Sequence, residues 1–121
     1  MSHIQPPDLD PEAIENLRSL GEEGDDSFLR EIIGIYLADT PLRLADIRGA
    51  AARGDTGLYT RAAHTIKGSS SNVGALAVRA LAEQLEKRSR VEPHANLEPL
   101  LAELEAAFVR ASSALRGVIG G

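Results

Sequence analysis

The stretch "AAHTIKGSSSNVGA", Ala62 to Ala75, places an imidazole, a cation and a glycine within five residues. His64, Lys67 and Gly68 are three and four positions apart, the spacing at which residues on a helix become neighbours. Neutral imidazole is a nucleophile near pH 7, because its unperturbed pKa is about 6.5. Lys67, one turn on, supplies a charge that can neutralise an anion attached to the ring. The stretch reads as mid-helix, away from the N-terminal end where the macrodipole binds phosphate, so a side-chain cation is needed. Gly68 costs about 0.5–1 kcal/mol relative to Ala inside a helix. Beside an exposed histidine it points to close approach by something bulky. It also fits a helix end, with "GSSSNVG" as a plain turn. Ser69, Ser70 and Ser71 are small and leave room for a neighbouring helix. No Lys-Ser/Thr follows the second glycine, so this is not a Walker-type phosphate loop.

Helical geometry assigns the faces. Tyr59, Ala63, Ile66, Ser70 and Val73 form a candidate core stripe. His64 then faces solvent among Thr60, Arg61, Lys67 and Gly68. Arg61 enters as a second cation from this geometry alone.

The remaining elements follow from caps and periodicity. Asp10 can N-cap "PEAIENLRSL", and Pro11 suits its first position. Gly21 and Gly24 frame a turn. "SFLREIIGIYLAD" carries Phe28, Leu29, Ile32, Ile33, Tyr36 and Leu37 at helical spacing. Thr40-Pro41 reads as a fresh capped start, opening "PLRLADIRGAAAR". Gly54 ends that helix and Asp55 caps the next, which carries His64. Gly74 offers a break before "ALAVRALAEQLEKRS". "VEPHAN" is a loop. Leu97, Leu100, Leu101, Leu104, Ala107, Phe108, Ala111 and Leu115 make one apolar stripe in the last helix. No segment alternates with period two, and short loops between amphipathic helices favour an up-and-down bundle. Residues 1–9 read as a flexible tail and 10–121 as one helical domain.

Composition narrows the function. In 121 residues, 43% are hydrophobic and only 3% aromatic, so the core must be built mainly from Leu, Ile, Val and Ala. The absence of cysteine excludes thiol nucleophiles and zinc–thiolate sites. The net charge of −5 argues against non-specific nucleic-acid binding. No apolar run approaches the roughly 18 residues of a membrane span, and the N-terminus lacks a signal core. A cytoplasmic location is expected. His3, in the tail, and His94, after Pro93 in a loop, lack metal-spaced partners and read as solvated. No metal site is expected.

His64, Lys67, Gly68, Ser69, Ser70 and Gly74, with Ile66 in place of a leucine, closely resemble the signature of histidine-containing phosphotransfer (HPt) domains. That signature runs roughly His-x-Leu-Lys-Gly-Ser-Ser-x-x-x-Gly. "LAEQLEKRSR", with Leu85 and Glu86, resembles the family's following helix. The resemblance covers about residues 10–117. It implies an all-α four-helix bundle with an additional short N-terminal helix. It implies that His64 carries a phosphoryl group between aspartates of response-regulator receiver domains, or takes it from a sensor or hybrid histidine kinase. Lys67 would balance the phosphate and Gly68 would admit the partner. Glu86 would bond the imidazole N–H not used in transfer. Partners would cover the histidine helix and the first two helices, which gives Gly68, Ser71, Ile14, Leu17, Phe28 and Ile32 as docking candidates. A carrier needs no cofactor of its own; Mg²⁺ is expected on the receiver. A monomer is expected.

Two other readings compete. A phosphoacceptor module of a larger hybrid or chemotaxis-type kinase would share the motif. The chain has no Gly-rich nucleotide loops, and Thr65 follows His64 where dimerisation-type kinases have an acidic residue. A helical adaptor that is never phosphorylated is the third.

Overall fold

Leu29, Ile33, Tyr36, Thr40, Leu44, Ile47 and Ala50 recur every three or four residues, and all seven are buried. One apolar stripe therefore passes through Pro41 without losing register. In the computed structural model, which describes residues 7–120, the whole segment is one helix. The expected start at Thr40-Pro41 is thus corrected. Proline removes one backbone N–H and disfavours a helix interior. Continuous burial on both sides of Pro41 outweighs that penalty, and Pro41 itself sits on the exposed face.

The described residues form five α-helices. They are α1 (Pro11–Ser19), α2 (Ser27–Arg53), α3 (Thr56–Val73), α4 (Leu76–Arg88) and α5 (Glu98–Val118). A 3₁₀ turn, His94–Leu97, precedes α5. The carboxylate of Asp10 caps α1 by accepting from the Glu12 N–H at 3.0 Å. Asp55 caps α3 by accepting from the Leu58 N–H at 3.1 Å. Both caps fall where the sequence places them.

Helices α2 to α5 form an up-and-down four-helix bundle, and the short α1 lies against α2 and α3. The stripe expected in the last helix is buried in full, from Leu97 through Leu115. The bundle closes between α2 and α5 through a Tyr36–Phe108 edge-to-face contact, with ring centroids 5.7 Å apart. On the outside of the same seam, Arg48 reaches both Glu98 and Glu105.

At the α3–α4 turn, Gly74 has φ +71° and ends α3. Its carbonyl accepts from the Asp10 N–H at 2.8 Å, so the start of α1 is tied to the end of the histidine helix. Residues 1–6 of the expected tail lie outside the described residues. Beyond them, Asp8 pairs with Arg110 and Leu9 packs on the core. None of the described helices is long and apolar enough to cross a membrane.

Candidate functional site

Tyr59, Ala62, Ala63, Ile66, Ser70 and Val73 are buried, and so orient α3. His64 is turned outward by that burial, with 63% of its side chain exposed. Helix α4 is oriented in the same way by Ala77, Val78, Ala82 and Leu85. Glu86 follows Leu85 at the edge of that stripe and is itself buried, at 6% exposure. Its carboxylate meets α3 at the level of His64.

Both carboxylate oxygens of Glu86 are engaged. His64 Nδ1 lies 2.8 Å from Oε2. Lys67 Nζ lies 2.7 Å from Oε1. Arg90, four residues on and just past the end of α4, places Nη2 3.4 Å from Oε2. Burial alone would raise the Glu86 carboxyl; the hydrogen bonds from Lys67 and His64 outweigh it and hold the group below its ordinary range. An ionised carboxylate only accepts, so Nδ1 carries the proton in this contact, and in the neutral ring Nε2 is the lone-pair nitrogen. The tautomer is thus assigned from the network.

A second link joins the two helices one turn away. Thr60 Oγ1 lies 2.7 Å from Ser89 Oγ, and Ser89 Oγ donates to the Glu86 carbonyl at 3.0 Å.

Around the histidine, Gly68 continues α3, which runs to Val73. The alternative that Gly68 ends the helix is thereby removed. A Cβ built there meets nothing within 4 Å, so the surface beside His64 is open. On the other side a groove is lined by Thr56, Gly57, Thr60, Arg61, His64, Glu86 and Arg90. Arg61 is exposed on its rim rather than on the Lys67 side.

Several expected residues lie elsewhere. Ile14 is 6% exposed and part of the core, so it offers no docking surface as the protein stands. Leu17 is half-buried against that core. Phe28 is exposed. Ile32 lines a shallow groove between α2 and α3 with Ile35, Tyr36, Asp39, Ser69, Asn72 and Val73. Ile35 is more exposed than either, and its sequence spacing does not single it out. The three serines do not form one packing patch. Consecutive helical residues point in different directions, so Ser70 alone is buried. It bonds the Tyr36 hydroxyl of α2 at 2.8 Å, while Ser71 is exposed. His94 is not simply solvated: its ring stacks on Tyr59 at 4.4 Å, and Nε2 lies 3.4 Å from Thr56 Oγ1. His3 lies outside the described residues. Among the described residues, no group of three or more His, Cys, Asp or Glu could hold a metal ion.

An exposed imidazole thus rests against a buried carboxylate, beside a lysine and an open glycine, on the surface of a helical bundle. The chain belongs to the Hpt domain family, whose model matches residues 31–114, and its role is histidine phosphotransfer in phosphorelay signalling. The matched residues run from within α2 to within α5; α1 lies outside them. Two solved structures share the fold. Histidine-containing phosphotransfer protein B (HptB) from Pseudomonas aeruginosa PAO1 superposes with a TM-score of 0.79 at 24% identity, over 92% of this chain and 93% of that one. The HPT domain of a sensor hybrid histidine kinase from Shewanella gives 0.73 at 19% identity, over 93% of each chain. No curated protein matches the sequence.

Proposed function

We propose that His64 is the phosphoacceptor and that Nε2 is the atom that carries the phosphoryl group. The observation that carries this reading is the 2.8 Å contact between Nδ1 and Glu86, which occupies the other nitrogen. In the transfer, the Nε2 lone pair attacks the phosphorus of an aspartyl phosphate on a receiver domain. The N–P bond forms as the acyl-phosphate O–P bond breaks, and the electron pair leaves with the aspartate carboxylate. Nδ1 keeps its proton, so the positive charge that develops on the ring faces Glu86. The reverse sequence returns the group to a second aspartate.

Lys67 serves both states. Before transfer its ammonium offsets the Glu86 charge. After transfer it lies one turn from the phosphoryl group, whose charge it balances. Arg61 adds a cation on the opposite side of the ring. Gly68 leaves space for the receiver's active-site loops, and Ser71 continues that open face. Phe28, Ile32 and Ile35 supply the apolar part of the contact. The receiver contributes its own Mg²⁺ and aspartate, so the chain needs only to act as a carrier, without kinase activity; a cytoplasmic, monomeric protein is part of this proposal.

Incubation with phosphoramidate, followed by ³¹P and ¹⁵N NMR of the histidine ring, tests the assignment. One phosphate on Nε2 of His64 is expected. Phosphate on Nδ1, or on another residue, contradicts it.

A further inference from the structure

The link between Thr60 and Ser89 has a fixed direction. Ser89 has a single hydroxyl proton, and the carbonyl of Glu86 can only accept it. Ser89 Oγ must therefore accept from Thr60 Oγ1 across the 2.7 Å contact. The hydrogen bonds run from α3, through Ser89, to the main chain of the residue that holds His64. Thr60 stands one turn before His64 on α3, and Ser89 stands three residues after Glu86 on α4. Because α3 and α4 are antiparallel, the hydroxyl pair and the imidazole–carboxylate pair form two adjacent rungs between the helices.

Ser89 is placed to hold this geometry. It is 2% exposed and is the C-cap of α4, with its N–H bonded to the Leu85 carbonyl at 2.9 Å. A buried hydroxyl deprived of its partner bears a desolvation cost, which keeps the rung closed. Nothing in the chemistry of phosphoryl transfer requires Thr60 or Ser89 to touch the reacting atoms. Their effect must pass through the position of Glu86.

We propose that Thr60 and Ser89 are positioning residues. Their hydrogen bond fixes the end of α4 against α3, sets the contact between His64 Nδ1–H and Glu86, and so sets the rate at which Nε2 accepts a phosphoryl group. The proposal rests on His64 being the phosphoacceptor. Small misplacements at a reacting centre are costly, on the order of 10²-fold in rate for about 1 Å. A partial loosening is expected to cost about tenfold.

The test uses Thr60→Val, Ser89→Ala, the double variant and Thr60→Ser. Each is checked for folding by thermal melting. Two readouts follow: the initial rate of phosphorylation by phosphoramidate, and the ring tautomer of His64 from long-range ¹H–¹⁵N correlations without any phosphate donor. Thr60→Val and Ser89→Ala should each slow phosphorylation about tenfold and reduce the Nδ1–H tautomer. The double variant should be no slower than the slower single, because both remove one link. Thr60→Ser should restore rate and tautomer together. Wild-type tautomer and rate in folded Thr60→Val and Ser89→Ala proteins would overturn the proposal. If Ser89→Ala does not fold, Thr60→Val decides alone, since valine keeps the shape at a half-exposed position. Failure of wild-type His64 to accept phosphate would overturn the phosphoacceptor reading and this rate claim with it, and is told apart because it shows in the unaltered protein.

Discussion

The Asp10 N–H donates to the Gly74 carbonyl at 2.8 Å, which ties the N-cap of α1 to the end of the histidine helix. Gly74 belongs to the sequence motif around His64, yet its work here is structural. It holds a left-handed φ of +71°, and a Cβ there would lie 2.7 Å from Ala13 Cβ and 3.1 Å from the Asp10 carbonyl oxygen. Gly74→Ala should therefore combine backbone strain with a clash and destabilise by about 2–4 kcal/mol. Thermal unfolding checks this. A melting temperature equal to that of the wild type would show that the α1 contact yields freely.

Gly68 is the contrasting case. It is helical, and the space beside it is open. Gly68→Gln should raise stability by about 0.5–1 kcal/mol, because glutamine is the better helix former. The same side chain should hold a receiver's aspartate away from the imidazole and slow transfer on the order of 10²-fold. Melting and transfer from a phosphorylated receiver, measured on one preparation, separate the two effects. Normal transfer by the stabilised protein would place the partner elsewhere.

Lys67→Ala should affect stability as well as transfer, since Lys67 bonds a carboxylate that is otherwise buried. A cost of about 1–3 kcal/mol near pH 7 is expected. The sign of its pH dependence follows from Glu86, whose folded-state pKa is depressed. Such a group contributes stability above its unfolded pKa, about 4.3, and the contribution is lost as pH falls through the lower folded value. The difference between Lys67→Ala and wild type should thus shrink on acidification below about pH 4. Denaturant titrations at several pH values measure it. A difference that stays constant into acid would remove Glu86 as its source.

Docking should follow the apolar groove rather than charge. Ile35 is 58% exposed and lines the groove with Ile32, beginning one residue after Gly68. Ile35→Asp should cut transfer from a receiver about tenfold or more, equivalent to about 1.4 kcal/mol, with little effect on melting. Val109→Asp, at an exposed position on α5, should leave transfer unchanged. With a net charge of −5, the chain gains little from long-range attraction to an acidic receiver. Raising salt should accordingly change affinity little. Strong salt dependence, or equal loss in the two variants, would reject the groove.

Much of this site could be read in the sequence because local rules decide it. The burial of Tyr59, Ile66 and Val73 fixes which way His64 points, and three- and four-residue spacing brings Lys67 and Gly68 beside it. Tertiary choices were less visible. Pro41 carries a helix-start signal, but burial on both sides of it prevails. Ile14 and Ile35 are both apolar helical residues, and only packing distinguishes the core member from the exposed one. His94 finds Tyr59 through a contact between residues 35 positions apart, which no local pattern encodes. Thr60 and Ser89 are ordinary polar residues until α3 and α4 are placed side by side.

The central claim is that His64 alone carries the phosphoryl group. Its direct test is mass spectrometry of the wild type and His64→Gln after incubation with a phosphorylated receiver domain. His64 is exposed, so the substitution should change stability by no more than about 0.5 kcal/mol. The wild type should gain one acid-labile phosphate, and the folded His64→Gln protein none. Phosphate on folded His64→Gln, or none on the wild type with any competent receiver, would contradict the account.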